Sequence, residues 1–295
     1  MIVGTIASLW RFPVKSFKGE KLGRIEFEKQ CILGDRAYAL IDIETGKVVS
    51  AKSVKLFPHI LNCAAAYLHP PEIGREIPPV QITLADGTTV ASNSENVDQI
   101  LSVFFGRAVT LTRVVPDDYT IDMYHPDIEN LGPASRRDTV TEQKLGSALF
   151  KEMGLESPLA PGSFVDAFPV SVISTSTLDH LHQLRPETNF DIRRFRMNIL
   201  VKTNTPGFAE NSWVGNTIAI GKRVRLTVAM PDSRCVMTTL AQNGIPKDTN
   251  VLRTLVQYNS LDIRGAGSSP CAGVYALIAM EGSVSINDTV ELSSF

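Results

Sequence analysis

Cysteine is scarce in this chain. Cys31, Cys63, Cys235 and Cys271 are the four present in 295 residues, and they lie far apart. No CxxC occurs, so the common zinc patterns are not expected. Clustered-cysteine iron–sulfur patterns are missing too. An excess of either charge is also lacking: 29 Lys and Arg face 31 Asp and Glu, for a net charge of −2. Such a balance argues against a polyanion-binding surface, and nucleic acid is not an expected partner. No apolar run is long enough to span a bilayer, so no membrane span is expected. The opening stretch MIVGTIASLWRFPVKS is too short in its apolar part for a secretory signal and reads better as a strand. A cytoplasmic protein is expected, and there thiols stay reduced. What is present is ordinary globular material, 43% hydrophobic and 20% charged. The length suits two domains or one large one.

The first third is β-rich. Residues 2–12 favour strand and stop at Pro13. Ile25 and Phe27 alternate with Arg24, Glu26 and Glu28. AYALIDI (37–43) and VVSA (48–51) flank ETGK as a hairpin, and VQITL (80–84) and TTV (88–90) flank Asp86-Gly87 as another. Ser92 and Glu95 form a capping-box pattern before a helix through Val97, Ile100, Leu101 and Phe104, with Gly106 as its stop. Residues 116–163 are rich in proline and polar residues. They predict a connection with a short helix near 141–153, and a loop of that length suits a lid, a binding loop or a solvated linker. In the second half, PVSVIS (169–174) is a strand entering a helix capped from Ser174–Thr177. NILV (198–201), TIAI (217–220) and the alternating RVRLTVAM (223–230) follow as strands, the last ended by Pro231. Residues 249–258 read as a helix, and two strands close the chain. The predicted class is α+β: a β-rich, two-domain protein with barrel-like sheets and a few short helices.

Several stretches place reactive or anion-binding groups just beyond strands. A strand that turns through Ser and Thr into a helix offers backbone N–H groups, hydroxyls and the helix dipole to an anion, as at Ser174–Thr177. Lys15 with Ser16 supplies a point charge and a hydroxyl, while Arg36 and Arg196 supply forked donors for phosphate oxygens. Each has a plain alternative: a cap at Ser174, a surface charge at Arg36, a solvated edge in RRFR. Together they point to an anion-binding cleft between two β-rich halves. For Cys31, Cys63 and Cys271 a small buried apolar role is the better reading. Cys235 follows a strand end and sits beside Arg234, and a nearby cation favours the thiolate that attacks electrophiles and binds soft metals. From its neighbours alone a buried structural thiol is still the better reading, with nucleophile and ligand as the alternatives.

Six segments in order, RFPVKSFKG, GDRAYALID, DAFPVSVIS, RRFRMN, FAENSW and SRCVMTT, resemble the MOSC family, from about residue 2 to 293. The resemblance implies an N-terminal MOSC-type β-barrel domain (1–118), a connecting segment (119–163) and a MOSC domain (164–295). It implies the molybdenum cofactor (molybdopterin), with Cys235 as metal ligand and catalytic centre. Lys15, Ser16 and Arg36 match positions that grip the pterin phosphate from the first domain. Ser174, Arg196 and Asn198 match contacts from the second, and Arg234 lines the same cleft. The implied activity is reduction of small N-hydroxylated or N-oxide compounds, with electrons from a separate reductase or ferredoxin-like partner. A sulfur carrier or cofactor-trafficking protein using a Cys235 persulfide is the alternative; with no pyridoxal-phosphate domain, it could not desulfurise cysteine itself. A phosphate-cleft binding module without turnover is a third. The sequence departs from the family pattern at Phe17, Met197, Asn211 and LAQNGIPKD after Thr239, and the last two are expected to rim the metal and to alter substrate choice.

Overall fold

A computed structural model describes residues 1–263 and 267–293. Seven strands close a barrel: β1 (Ile2–Arg11), β2 (Val170–Ser174), β3 (Ile199–Lys202), β4 (Thr217–Ile220), β5 (Val224–Ser233), β6 (Ser268–Met280) and β7 (Thr289–Ser293). Around the barrel the order is β2, β3, β1, β7, β4, β5, β6, and β6 pairs back onto β2. Closure leaves no unpaired edge within this ring. β2 and β3 run parallel, and helix α1 (Thr175–Leu184) forms part of the crossover that parallel pairing requires. The alternation read in the sequence becomes the inside of the barrel: Ile6, Leu9, Val172, Ile199, Ile218, Leu226, Val228, Val274 and Val290 are buried together around Trp213.

A second β-rich body has its own core. Strand Ala39–Asp42 pairs with Val109–Thr112, and Ala64–Tyr67, Val80–Thr83 and Thr89–Ala91 form a three-stranded sheet. Helix Val97–Phe105 closes it over Phe17, Leu40, Phe57, Cys63 and Ile82, and Gly106 ends that helix in the left-handed region at φ 63°. Strand pairing crosses the expected division of the chain. β1 completes the barrel otherwise made from residues 170–293, and Arg24–Glu28 pairs with Gly282–Ser285. The division at 118 and 163 is therefore proposed for chain segments, not for sheets.

Four local expectations need correction. VVSA forms no strand: Val48 makes a single bridge to Ile41, and Ala39–Asp42 takes its ladder from residues 109–112 instead. The Ser92–Glu95 capping box does not form, because the Ser92 hydroxyl accepts from Val80 N at 3.0 Å and the helix begins after Asn96. Residues 116–163 contain the short helix, at Gly146–Glu152, but also an antiparallel ladder of Thr120–His125 with Thr139–Lys144. Pro231 does not end β5. The strand passes it with bulges on either side, where a missing N–H is tolerated, and runs on to Ser233. That extension carries Asp232, Arg234 and Cys235 to the junction of the two bodies.

Candidate functional site

At that junction the chain leaves β1 through Phe12-Pro13. Asp35 locks the exit: its Oδ1 accepts from Phe12 N at 2.7 Å, and Arg36 N donates to Phe12 O at 2.7 Å. The Arg36 and Arg196 guanidinium groups each lie 4.4 Å from the centre of the Phe12 ring. Arg36 also pairs with Asp35 and donates from Nη2 to Arg196 O at 3.2 Å. Arg196 donates from Nη1 to Phe17 O at 2.7 Å. Ser16, Arg36 and Arg196 all have positive φ, at 66°, 47° and 54°. Non-glycine residues seldom adopt that region, and such strain concentrates at functional sites.

These three residues line one cleft, with Lys15, Asn198, Asp166, Asp232 and Arg234 among its other walls. Lys15 Nζ pairs with Asp166 and donates to Phe164 O at 3.2 Å, while Lys52 Nζ pairs with the other Asp166 oxygen at 2.7 Å. Burial works against the Asp166 charge, but the two ammonium groups outweigh it and hold the carboxyl well below the usual range. Burial lowers Lys15 to about 8 despite Asp166. Arg196 is likewise pulled down by burial and then by Arg36. Five cations, Lys15, Lys52, Arg36, Arg196 and Arg234, thus face three carboxylates, Asp35, Asp166 and Asp232. An enclosed excess of two positive charges is a site for an anion such as a phosphate dianion.

Arg234 extends from the end of β5. Its Nη1 pairs with Asp232 at 2.5 Å and its Nη2 donates to Phe195 O at 2.5 Å. Arg234 Nε is buried and has no hydrogen-bond partner, while Tyr275 lies within hydrogen-bond reach of the Asp232 carboxylate. Burial opposes the Arg234 charge, but Asp232, Tyr275 and Cys235 together raise it above its ordinary value. Lys52 is also held charged against its burial, by Asp166 and then by Cys235. The half-buried thiol of Cys235 therefore lies within electrostatic reach of two cations. Among the described residues no group of three or more His, Cys, Asp or Glu could hold a metal.

The structure brings Lys15, Ser16, Arg36, Arg196, Asn198 and Arg234 together around the cleft, with Cys235 next to Arg234. Ser174 is not among its walls. It is fully buried as the cap of α1, accepting from Thr177 N at 3.1 Å and donating to Glu210 at 2.5 Å. Ser16 Oγ accepts from Ala51 N at 3.0 Å and Asn198 Oδ1 from Ser171 N and Oγ, so both also brace the cleft's backbone. Arg194 of the RRFR run is no solvated edge: it is fully buried and donates to the carbonyls of Asn189, Thr238, Leu240 and Pro246. Asn211 does not rim the cleft either. It bonds Asn259 at 2.8 Å, which in turn bonds Cys271 O. Sequence reasoning missed Lys52, Asp166 and Asp232. Asp166 had a usable signal, a lone acid four residues before the strand start within DAFPVSVIS; Lys52 had none, because its partner Asp166 is more than a hundred residues away.

Fold and cleft together define a β-barrel protein with a cation-rich pocket assembled from distant segments beside a thiol. The sequence matches the MOSC N-terminal beta barrel domain over residues 3–104 and the MOSC domain over residues 161–291. The chain belongs to the MOSC-domain family. It is 26% identical to human mitochondrial amidoxime-reducing component 1 over 98% of this chain and 83% of that protein, and 25% identical to human component 2 with the same coverage. Bovine component 2 is 31% identical over 43% of this chain and 38% of its own. The crystal structure of the YUAD protein from Bacillus subtilis aligns over 99% of this chain and 96% of its own at 12% identity and a TM-score of 0.44, too loose a likeness to bear on function.

Proposed function

We propose that this protein is a molybdenum-cofactor-dependent oxidoreductase that reduces small N-hydroxylated or N-oxide compounds. The observation that carries the proposal is the cleft: a net positive pocket, held by strained non-glycine residues, with a thiol at its side within electrostatic reach of two cations. The family is associated with the molybdenum cofactor, and the curated relatives named above are amidoxime-reducing components. The residues fit such a group on structural grounds, since the charge excess asks for a phosphate and Arg234 Nε asks for an acceptor.

Lys15, Arg36 and Arg196 would hold the phosphate, Arg36 and Arg196 by forked donors and Lys15 as a point charge. Cys235 would give its thiolate to the metal, a soft donor for a soft site. When bound, the cofactor supplies the two-electron oxygen-transfer chemistry; binding, orientation and electrostatics are the protein's part. Lys52 and Arg234 keep positive charge beside the Cys235 sulfur. Asp166 fixes both lysines in place. For each turnover an N–OH substrate takes up two electrons and two protons and yields the N–H product and water; the electrons are assigned to a separate donor protein. No helix among the described residues is long and apolar enough to cross a membrane, and a cytoplasmic location belongs to the same proposal. The test is reduction of an amidoxime by the loaded protein with a chemical or protein electron donor. Cys235→Ala should abolish turnover, and full activity in that variant would sink the assignment of Cys235.

A further inference from the structure

We infer that Asn62 of the second body is a positioning residue for the Cys235 thiol, acting through a strap formed by residues 236–248. The inference concerns the site of the functional reading above but does not rest on a cofactor being bound there. The stretch after Thr239, expected at the metal's rim, runs elsewhere. Met237 lines the cleft, but residues 240–248 do not. They turn away and dock on the second body, where Met237 and Leu240 pack against its core.

Cys235 is the N-cap of a short 3-10 turn, Val236–Thr239. Its carbonyl accepts from Thr238 N at 3.2 Å and from Thr238 Oγ1 at 3.1 Å, so the turn fixes the cysteine backbone. Two anchors then hold the strap. From the barrel side, the buried Arg194 donates to the carbonyls of Thr238, Leu240 and Pro246. From the second body, Asn62 Oδ1 accepts from Asn243 N at 2.7 Å, and Leu61 O accepts from Asn243 Nδ2 at 2.8 Å. Asn243 has a φ of 43°, a region that asparagine tolerates without preferring it, and the two bonds hold it there. A loop of this kind samples many conformations when released, and its anchors offset the entropy of fixing it. The segment that holds the strap also holds the anion turn. Lys18 N, just beyond Lys15 and Ser16, donates to Cys63 O at 2.7 Å. Residues 61–63 thus place the thiol and the Lys15–Ser16 turn in one register. Of these contacts only the one from Asn62 is made by a side chain of the second body, so it is removed without altering the backbone.

Lys52 and Arg234 lie within electrostatic reach of Cys235, so an anionic alkylating agent is favoured there over a neutral one. The experiment uses the purified, metal-free full chain and compares the rates of iodoacetate and iodoacetamide at Cys235, read by peptide mass spectrometry. Relative to free cysteine, the wild type should favour iodoacetate. In Asn62→Ala that preference should fall about threefold or more, the factor for moving one unit charge from near range to beyond it in water. The control is Ser102→Ala, which removes two hydrogen bonds to Val109 inside the same body. It should lower the melting temperature and leave the preference as it is. That contrast separates positioning from a merely structural role. An Asn62→Ala preference equal to that of the wild type or of the control overturns the inference, as does a wild type with no preference. If Asn62→Ala does not fold, Asn243→Gly decides. It keeps the N–H and the positive φ but loses the bond to Leu61 O, and an unchanged preference there overturns the inference. If Cys235 is too shielded to react, the crystal structure of Asn62→Ala decides: a sulfur displaced from Arg234 supports the inference, and an unmoved one refutes it. A chain that shows the preference and its loss but never carries molybdenum refutes the proposed function and leaves this inference standing.

Discussion

Replacing Asp166 with Asn isolates the electrostatic design of the cleft. In the wild type one carboxylate serves two ammonium groups, with side-chain exposures of 6% for Lys15, 8% for Lys52 and 28% for Asp166. Removing the charge leaves two buried cations facing Arg36, Arg196 and Arg234. Breaking a buried pair from one side costs about 3–5 kcal/mol. Asp166 keeps some contact with solvent, which places the expected loss at the lower end, about 3 kcal/mol. For a chain of this length that corresponds to a melting temperature lower by about 5 °C. The variant should regain stability when phosphate is added, by RT ln(1 + [L]/Kd), and more steeply than the wild type, because an anion replaces the missing charge. The sign with pH follows from the depressed Asp166 value. Its stabilisation is present above the unfolded carboxyl value near 4 and is lost as pH falls below it, so wild type and variant should converge in acid. Scanning calorimetry across pH, with and without phosphate, measures all three. A shift below 1 °C at neutral pH, or no extra rescue by phosphate, would refute the charge account of the cleft.

Anion affinity should fall as pH rises through about 8, where buried Lys15 loses its proton, and phosphate binding near that pH should take up protons, seen as buffer-dependent heats in calorimetry. Over the interval from about 8 to the ordinary lysine value of 10.5 the unfolded chain binds more protons at this position, so the Lys15 contribution to stability rises with pH there. Glu210→Ala should destabilise the fold by about 2–4 kcal/mol, because the Ser174 and Thr177 hydroxyls and Gly273 N lose their common buried acceptor. Glu210→Gln should lose less, and equal melting temperatures for wild type and the alanine variant would contradict that network.

Local patterning made much of the barrel legible: Val224, Leu226 and Val228 of the alternating β5 share the barrel core with Val172, Ile199 and Ile218, while Ile173 and Leu200 of the stretches read as β2 and β3 pack in a separate cluster with α1. What it missed is long-range. The partner of Ala39–Asp42 is more than sixty residues away, and a strand passing through Pro231 depends on bulges set by β6, which no local rule encodes. The candidate anion-binding residues Lys15, Ser16, Arg36 and Arg196 were readable because each lies in a turn close to a strand. Ser174 was readable only in kind, since cap and ligand share the same signature, and burial against Glu210 decides for the cap. Lys52 and Asp232 gain their meaning from neighbours brought by folding: Asp166 for one, Arg234 and Tyr275 for the other. Asn211, expected at the rim, is held instead by Asn259 at the C-terminal end of α2 (Asn250–Tyr258).

Elemental and pterin analysis of the protein purified from a cofactor-competent host tests the central claim most directly. The account predicts molybdenum and pterin in the wild type, and loss of molybdenum in Cys235→Ala. A wild type that carries neither, under conditions that load an amidoxime-reducing relative, would contradict it, and a stable extra sulfur on Cys235 in the same preparation would point to the sulfur-carrier reading.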